Sequence, residues 1–208
     1  LARLYRKFIF CFGLCVPVTI SKNSLQTFKD LYNRDALLIY NGCTEFEYST
    51  ENMVEQYKIN AATKVLVNVA RISSQKNQLM LVEGCMGLIE MGYDIVLLII
   101  GKKQDEILAS QIEKYTGNRI KLLGECQSPR TFLQFADFFC LSSVYEGLPI
   151  SLLEAFSVGC VPICTPVGGC VDVIDNGING FLSDGISKEK YSAKLKMALD
   201  MSKEESLL

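Results

Sequence analysis

The most telling feature of this 208-residue chain is the complete absence of histidine. That removes histidine general bases, histidine metal ligands and Ser-His-Asp triads from consideration. The nine cysteines are odd in number and include no Cys-x-x-Cys pair. Cys85, Cys140, Cys160 and Cys164 lie within apolar runs, where a free thiol behaves as a small hydrophobe; the reading is reduced thiols in a cytoplasmic protein. Cys11 and Cys15 can share a helix face, but two such residues make no metal site. A surplus of cations is also missing: the formal net charge is −2, which speaks against a nucleic-acid partner.

Long apolar runs are equally scarce. Phe8 to Ile20 carries no charge and follows Arg3, Arg6 and Lys7, an arrangement that resembles a signal peptide. No small-x-small cleavage site follows, and a membrane-spanning helix needs about 20 apolar residues. We read residues 1–20 as the remnant of an upstream domain, outside the main core. The basic and aromatic residues there leave peripheral membrane contact open, and the uncovered apolar residues favour association. Phosphate-binding signatures are absent too. Gly101-Lys102-Lys103 follows a strand, yet position 96 is Val96 and no Ser or Thr follows Lys102, so it is not a P-loop. There is no Gly-x-Gly-x-x-Gly, and no Asp-x-Asp pair to hold a metal against a diphosphate.

What is present is regular alternation. Apolar runs at Val65–Val67, Ile95–Ile100, Ile120–Leu123, Phe138–Leu141 and Val161–Cys164 read as strands apolar on both faces. Helical spacing is read over Gln78–Gly92, Asp105–Tyr115, Pro149–Val158, Cys170–Asp175 and Lys188–Met201. A further helix opens with Ser128 as cap and Pro129 as first residue, running to Ala136. Earlier in the chain, Ser24–Asn33 reads as a helix and Ala36–Tyr40 as a strand ending at the turn pair Asn41-Gly42. The expected fold is an α/β, Rossmann-like parallel sheet with helices on both faces, and ligands in the crevice beyond the carboxyl ends of the strands.

Three strand-to-helix loops then carry the chemistry. Ser142 to Phe156 follows a strand, and Pro149 suits the first turn of the next helix, so the backbone from Gly147 through Leu148, Pro149 and Ile150 would meet a ligand with the positive end of the helix dipole. Glu154 stands among Leu152, Leu153, Ala155 and Phe156, where a carboxylate needs a partner: a ribose diol on one reading, a packing gap or a buried arginine on the other. Arg71 and Lys76 follow the first strand, as a fork and a point charge suited to a diphosphate, or else as two solvated loop charges. Thr165-Pro166-Val167-Gly168-Gly169 is a third loop whose glycines permit close backbone approach or else only make a turn.

Glu146 and Glu154, eight residues apart in Glu-Gly-Leu-Pro-Ile-Ser-Leu-Leu-Glu-Ala, resemble the Glu-x7-Glu motif of retaining glycosyltransferases, above all glycosyltransferase family four. Asn68-Val69-Ala70-Arg71-Ile72 with Lys76 is similar to that family's Gly-Arg-Leu…Lys-Gly segment, with Asn77 where glycine is frequent. Gly159 to Pro162, Gly168-Gly169 and Asn176 to Leu182 resemble its later blocks, and Ile20 to Ser24 with Tyr40 to Gly42 its interdomain crossover. The resemblance implies the carboxyl-terminal half of a GT-B fold: residues 1–20 as a remnant of the acceptor domain, 21–62 as crossover and domain start, and 63–208 as the nucleotide-sugar donor domain. It implies that Arg71 and Lys76 grip the diphosphate and act catalytically with Glu146, which contacts the sugar. Glu154 binds ribose, the backbone of Gly147 to Ile150 lines sugar and phosphate, and the loop from Gly124 to Arg130 approaches the base. No cofactor or obligatory metal is implied. The implied partners are a nucleotide-diphosphate sugar and a sugar or lipid-linked acceptor held by an amino-terminal domain, without which a fragment would be inactive. A sugar-nucleotide 2-epimerase and a non-catalytic nucleotide-sugar-binding subunit are the competing readings; the lack of histidine and the Glu-x7-Glu spacing weigh against the first.

Overall fold

The computed structural model describes residues 8–201, so Arg3, Arg6 and Lys7 lie outside the described residues. Two apolar spans meet first: β1 (Val18–Thr19) pairs in parallel with β2 (Leu37–Leu38), joined by helix α1 (Lys22–Tyr32). Ser21 caps α1 by accepting from the Ser24 amide, and Asn33 ends it in the left-handed region at φ 51°. No residue of α1 is buried. Phe10 packs edge-on against Phe28 at 5.0 Å, whereas Phe12, Leu14 and Val16 stay exposed. The small sheet joins residues on both sides of the division drawn at residue 20.

The main sheet comprises β3 (Lys64–Val69), β4 (Ile95–Ile100), β5 (Ile120–Gly124), β6 (Phe138–Leu141), β7 (Val161–Cys164) and β8 (Phe181–Leu182). Their order is β5-β4-β3-β6-β7-β8, and every neighbouring pair is parallel. Strand alternation sends Leu66, Leu97, Ile99 and Cys140 to one face, under α2 (Gln78–Glu90), α3 (Glu106–Glu113) and α7 (Lys188–Asp200). Val65, Val67, Val96, Leu98 and Leu141 point to the other, under α4 (Arg130–Leu133), α5 (Ile150–Ser157) and α6 (Cys170–Val173). This is the doubly covered parallel sheet expected from runs apolar on both faces. Tyr191 is wholly buried, and its hydroxyl meets the need for a partner by donating to the Ile163 carbonyl at 2.9 Å. Cys85, Cys140, Cys160, Cys164 and Cys170 are buried and free; burial pushes the Cys140 thiol up to about 12. They pack as apolar side chains.

Two helix starts differ from the sequence reading. Ser128 caps nothing with its side chain; Pro129 is the cap and α4 runs only from Arg130 to Leu133. Pro149, read as the first helical residue, is instead the cap of α5, with φ −67° and ψ 125°. Its ring fixes φ, but the extended ψ keeps it outside the helix.

Candidate functional site

β3 and β6 are central neighbours in the sheet, so the loops leaving their carboxyl ends are adjacent. The backbone locks these loops together. The Val144 amide donates to the Gln75 carbonyl at 2.8 Å, Gln75 Nε2 donates to the Tyr145 carbonyl at 3.1 Å, and Ser142 Oγ donates to the Lys76 carbonyl at 2.9 Å. Lys76 Nζ therefore reaches Glu146 Oε1 at 2.5 Å, and Ser143 Oγ donates to the same oxygen at 2.5 Å. The pair is well covered, with the lysine side chain 13% and the glutamate side chain 7% exposed. Lys76 is thus no solvated loop charge. Among the described residues the only buried side-chain polar atom without a partner is Asn68 Oδ1. Glu146 Oε2 takes no bond from a described residue and is not sealed from solvent.

The third loop closes against the same backbone. Gly168 sits at φ 53°, and a Cβ there would stand 2.0 Å from the Glu146 carbonyl oxygen. A Cβ on Gly169 would stand 2.6 Å from the Gly147 carbonyl oxygen. Both glycines are required for close approach, here to the protein's own backbone at Glu146 and Gly147. Thr165 Oγ1, fully buried, donates to the Ser143 carbonyl at 2.6 Å.

Gly147, Leu148 and Pro149 lead into α5. The Leu148 carbonyl accepts from Asn41 Nδ2 at 2.8 Å, and Ile20 packs over Gly147, where a Cβ would lie 2.6 Å from its Cδ1. Leu152 and Leu153 make the first bonds back to Pro149, which leaves the amides of Ile150 and Ser151 without a helical acceptor. Ile150 itself is exposed.

Glu154, one turn into α5, does not face an empty space. Arg130 Nε donates to its Oε1 at 3.2 Å, with the two side chains 14% and 18% exposed. The inference that burial of Glu154 demands a ligand therefore falls; of the alternatives read from sequence, the buried arginine is the one present. Arg71 is exposed at the end of β3, its carbonyl accepting from Gln78 Nε2 at 2.8 Å. The structure thus brings Lys76 and Glu146 into contact, gives Glu154 a different partner, and leaves the Arg71 side chain toward solvent. Arg130 was legible only as the end of a loop near the site, because its partners come from distant segments. Among the described residues no cluster of three metal-ligating side chains occurs, and no helix is long and apolar enough to span a membrane.

Residues 22–207 match the family model described as glycosyl transferases group 1. The chain belongs to this family. It is 32% identical over 115 residues to granule-bound starch synthase 1 of Solanum tuberosum, covering 54% of the chain and 19% of that protein. It is 27% identical over 157 residues to N-acetyl-alpha-D-glucosaminyl L-malate synthase of Bacillus anthracis, covering 73% of the chain and 41% of that protein. The group 1 chain thus spans less than half the length of these two relatives. Among solved structures, HepE of Anabaena in complex with UDP and glucose superposes with a TM-score of 0.78 at 20% identity, over 92% of this chain and 55% of that one. A glycosyltransferase from Rickettsia africae gives 0.81 at 19% identity, over 91% and 55%. At these identities the likeness is one of fold: this group 1 domain is the Rossmann-like half of a GT-B architecture.

Proposed function

We propose that this domain binds the donor in a retaining glycosyltransferase of family four, which moves a sugar from a nucleotide-diphosphate sugar to an acceptor. The observation that carries the reading is the Lys76–Glu146 pair at the carboxyl ends of β3 and β6, in a loop that leads directly into α5, whose Ile150 and Ser151 amides have no helical acceptor. A cation, two unspent amides and a carboxylate with one free oxygen offer what a sugar diphosphate needs: a positive field for the phosphates and an acceptor for sugar hydroxyls. Group 1 membership supports the same chemistry, as does the UDP held by the structurally similar HepE.

In this reading Arg71 swings from solvent onto the diphosphate, and Lys76 bridges it to Glu146. When the bond between the anomeric carbon and the phosphate oxygen breaks, negative charge grows on the departing diphosphate. Lys76 and the start of α5 face that charge in place, and Arg71 joins them once donor binding has drawn it in. Glu146 Oε2 receives hydroxyls of the donor sugar, and Glu154 Oε2 receives the ribose. A second Rossmann-like half holds the acceptor, and surface polysaccharide or glycolipid synthesis is the setting, with cytoplasmic placement. Titration calorimetry against UDP, GDP and ADP and their sugar conjugates tests the proposal. One of the three nucleotides should bind, and Arg71→Ala should weaken it by about 1.5–3 kcal/mol, the size of a charge-assisted hydrogen bond. Failure of all three to bind, or an unchanged affinity in Arg71→Ala, would overturn it.

A further inference from the structure

Residues 41–49 run as a strap along α5 and across α4. Asn41 holds the Leu148 carbonyl, Tyr48 Oη donates to the Ser157 carbonyl at 3.3 Å, and the backbone of Ser49 exchanges two hydrogen bonds with the Gln134 amide, both 2.9 Å. In the middle of this strap sits Arg130. Its Nη1 donates to the Thr44 carbonyl at 2.7 Å and, more weakly, to the Glu45 carbonyl at 3.5 Å. Its Nη2 donates to Thr44 Oγ1 at 2.8 Å, and the guanidinium lies 5.5 Å over the Phe46 ring. That leaves Nε, which donates to Glu154 Oε1.

A planar fork with acceptors on three sides and an aromatic face beneath it has little freedom left. It meets Glu154 through one N–H rather than two. A bidentate grip would occupy both carboxylate oxygens; this geometry occupies one. Glu154 Oε2 takes no bond from a described residue and is not sealed from solvent. We propose that Arg130 is a positioning residue for nucleoside recognition: anchored on the strap at Thr44, it fixes Glu154 so that the second oxygen is presented to the ribose diol of a nucleoside diphosphate. The inference rests on the donor-site reading above, and it adds that the strap preceding the main sheet sets how strongly ribose is read.

The test compares a ribonucleoside diphosphate with its 2′,3′-dideoxy form, by titration calorimetry, in the wild-type protein, Glu154→Gln, Arg130→Lys and Thr44→Val. The probes are UDP, GDP and ADP with their dideoxy forms. In the wild type the diol should be worth about tenfold or more in affinity. Glu154→Gln should erase most of that ratio. Arg130→Lys, whose compact ammonium cannot serve Thr44 and Glu154 together, should cut it to about threefold or less, and Thr44→Val should cut it by a smaller factor. Affinity for the dideoxy form should be the same in all four proteins, which a misfolded or loosened site would not show. In the Glu154→Gln background, Arg130→Lys should change the ratio no further. If Glu154→Gln loses ribose discrimination while Arg130→Lys and Thr44→Val keep it, the positioning role is wrong and the donor site stands. If the wild type binds none of the three nucleotides, the donor-site reading fails and this inference fails with it.

Discussion

The two glutamates at the ends of the Glu-x7-Glu segment share one chemical layout but are held by different parts of the molecule. Each has Oε1 occupied by a cation and Oε2 without a bond from a described residue and not sealed from solvent. Glu146 is held from within the sheet, by a lysine on the loop after β3 and by Ser143 on its own loop. Glu154 is held from outside, by an arginine whose other bonds go to the strap at Thr44. A lysine is a mobile point charge that can be shared with an arriving phosphate, whereas a forked arginine with four of its five N–H groups bonded is a fixed bracket. In the donor site proposed above, the difference would suit one carboxylate that adjusts as the sugar departs and another that only recognises.

The largest effect expected from breaking this comparison is on stability at the inner pair. Lys76→Ala leaves the Glu146 side chain, 7% exposed, with Ser143 Oγ as its one donor among the described residues, at 2.5 Å. Removing one partner of a buried ion pair should cost about 3 kcal/mol, read as a lower urea midpoint with an unchanged slope. Glu154→Gln, which keeps an acceptor for Arg130 Nε, should cost about 1 kcal/mol in the same measurement. Equal losses would erase the distinction between the two pairs.

A smaller effect should come from the loop behind Glu146. Gly168→Ala places a Cβ against the Glu146 carbonyl oxygen at a φ of 53°. A non-glycine residue in that region costs about 1–2 kcal/mol, and the loop must shift as well. The shift should weaken binding of the sugar nucleotide while sparing the free nucleoside diphosphate, because Glu154 lies beyond its reach on α5. Equal weakening of both ligands would show that the two carboxylates do not act separately.

How much of this was legible in the sequence depended on the range of the contact involved. β4, β6 and β7 were read at their observed bounds, because four to six consecutive apolar residues between turn residues suit little besides a buried strand. Gly168 and Gly169 announced close approach correctly, though not to what: they approach the protein's own backbone at Glu146 and Gly147. The contact of Lys76 with Glu146 was not legible, because each residue stands in its own strand-to-helix loop and only the parallel pairing of β3 with β6 brings the two loops together. The Ser128 cap failed because α4 is a single turn whose residues are fixed by Phe132 and Leu133 in the core rather than by a cap. The pairing of Arg130 with Glu154 was illegible for a different reason. The arginine's partners lie 24 residues ahead and 86 residues behind, and no local pattern encodes a pairing set by how the strap is laid down.

The division of labour between the two carboxylates is tested most directly by titrating Glu146→Ala and Glu154→Ala against one nucleoside diphosphate and its sugar conjugate. Glu154→Ala should weaken both ligands by the same factor, because both carry the ribose. Glu146→Ala should leave the nucleoside diphosphate unchanged and weaken only the sugar conjugate. An identical ligand profile for the two variants would contradict the account.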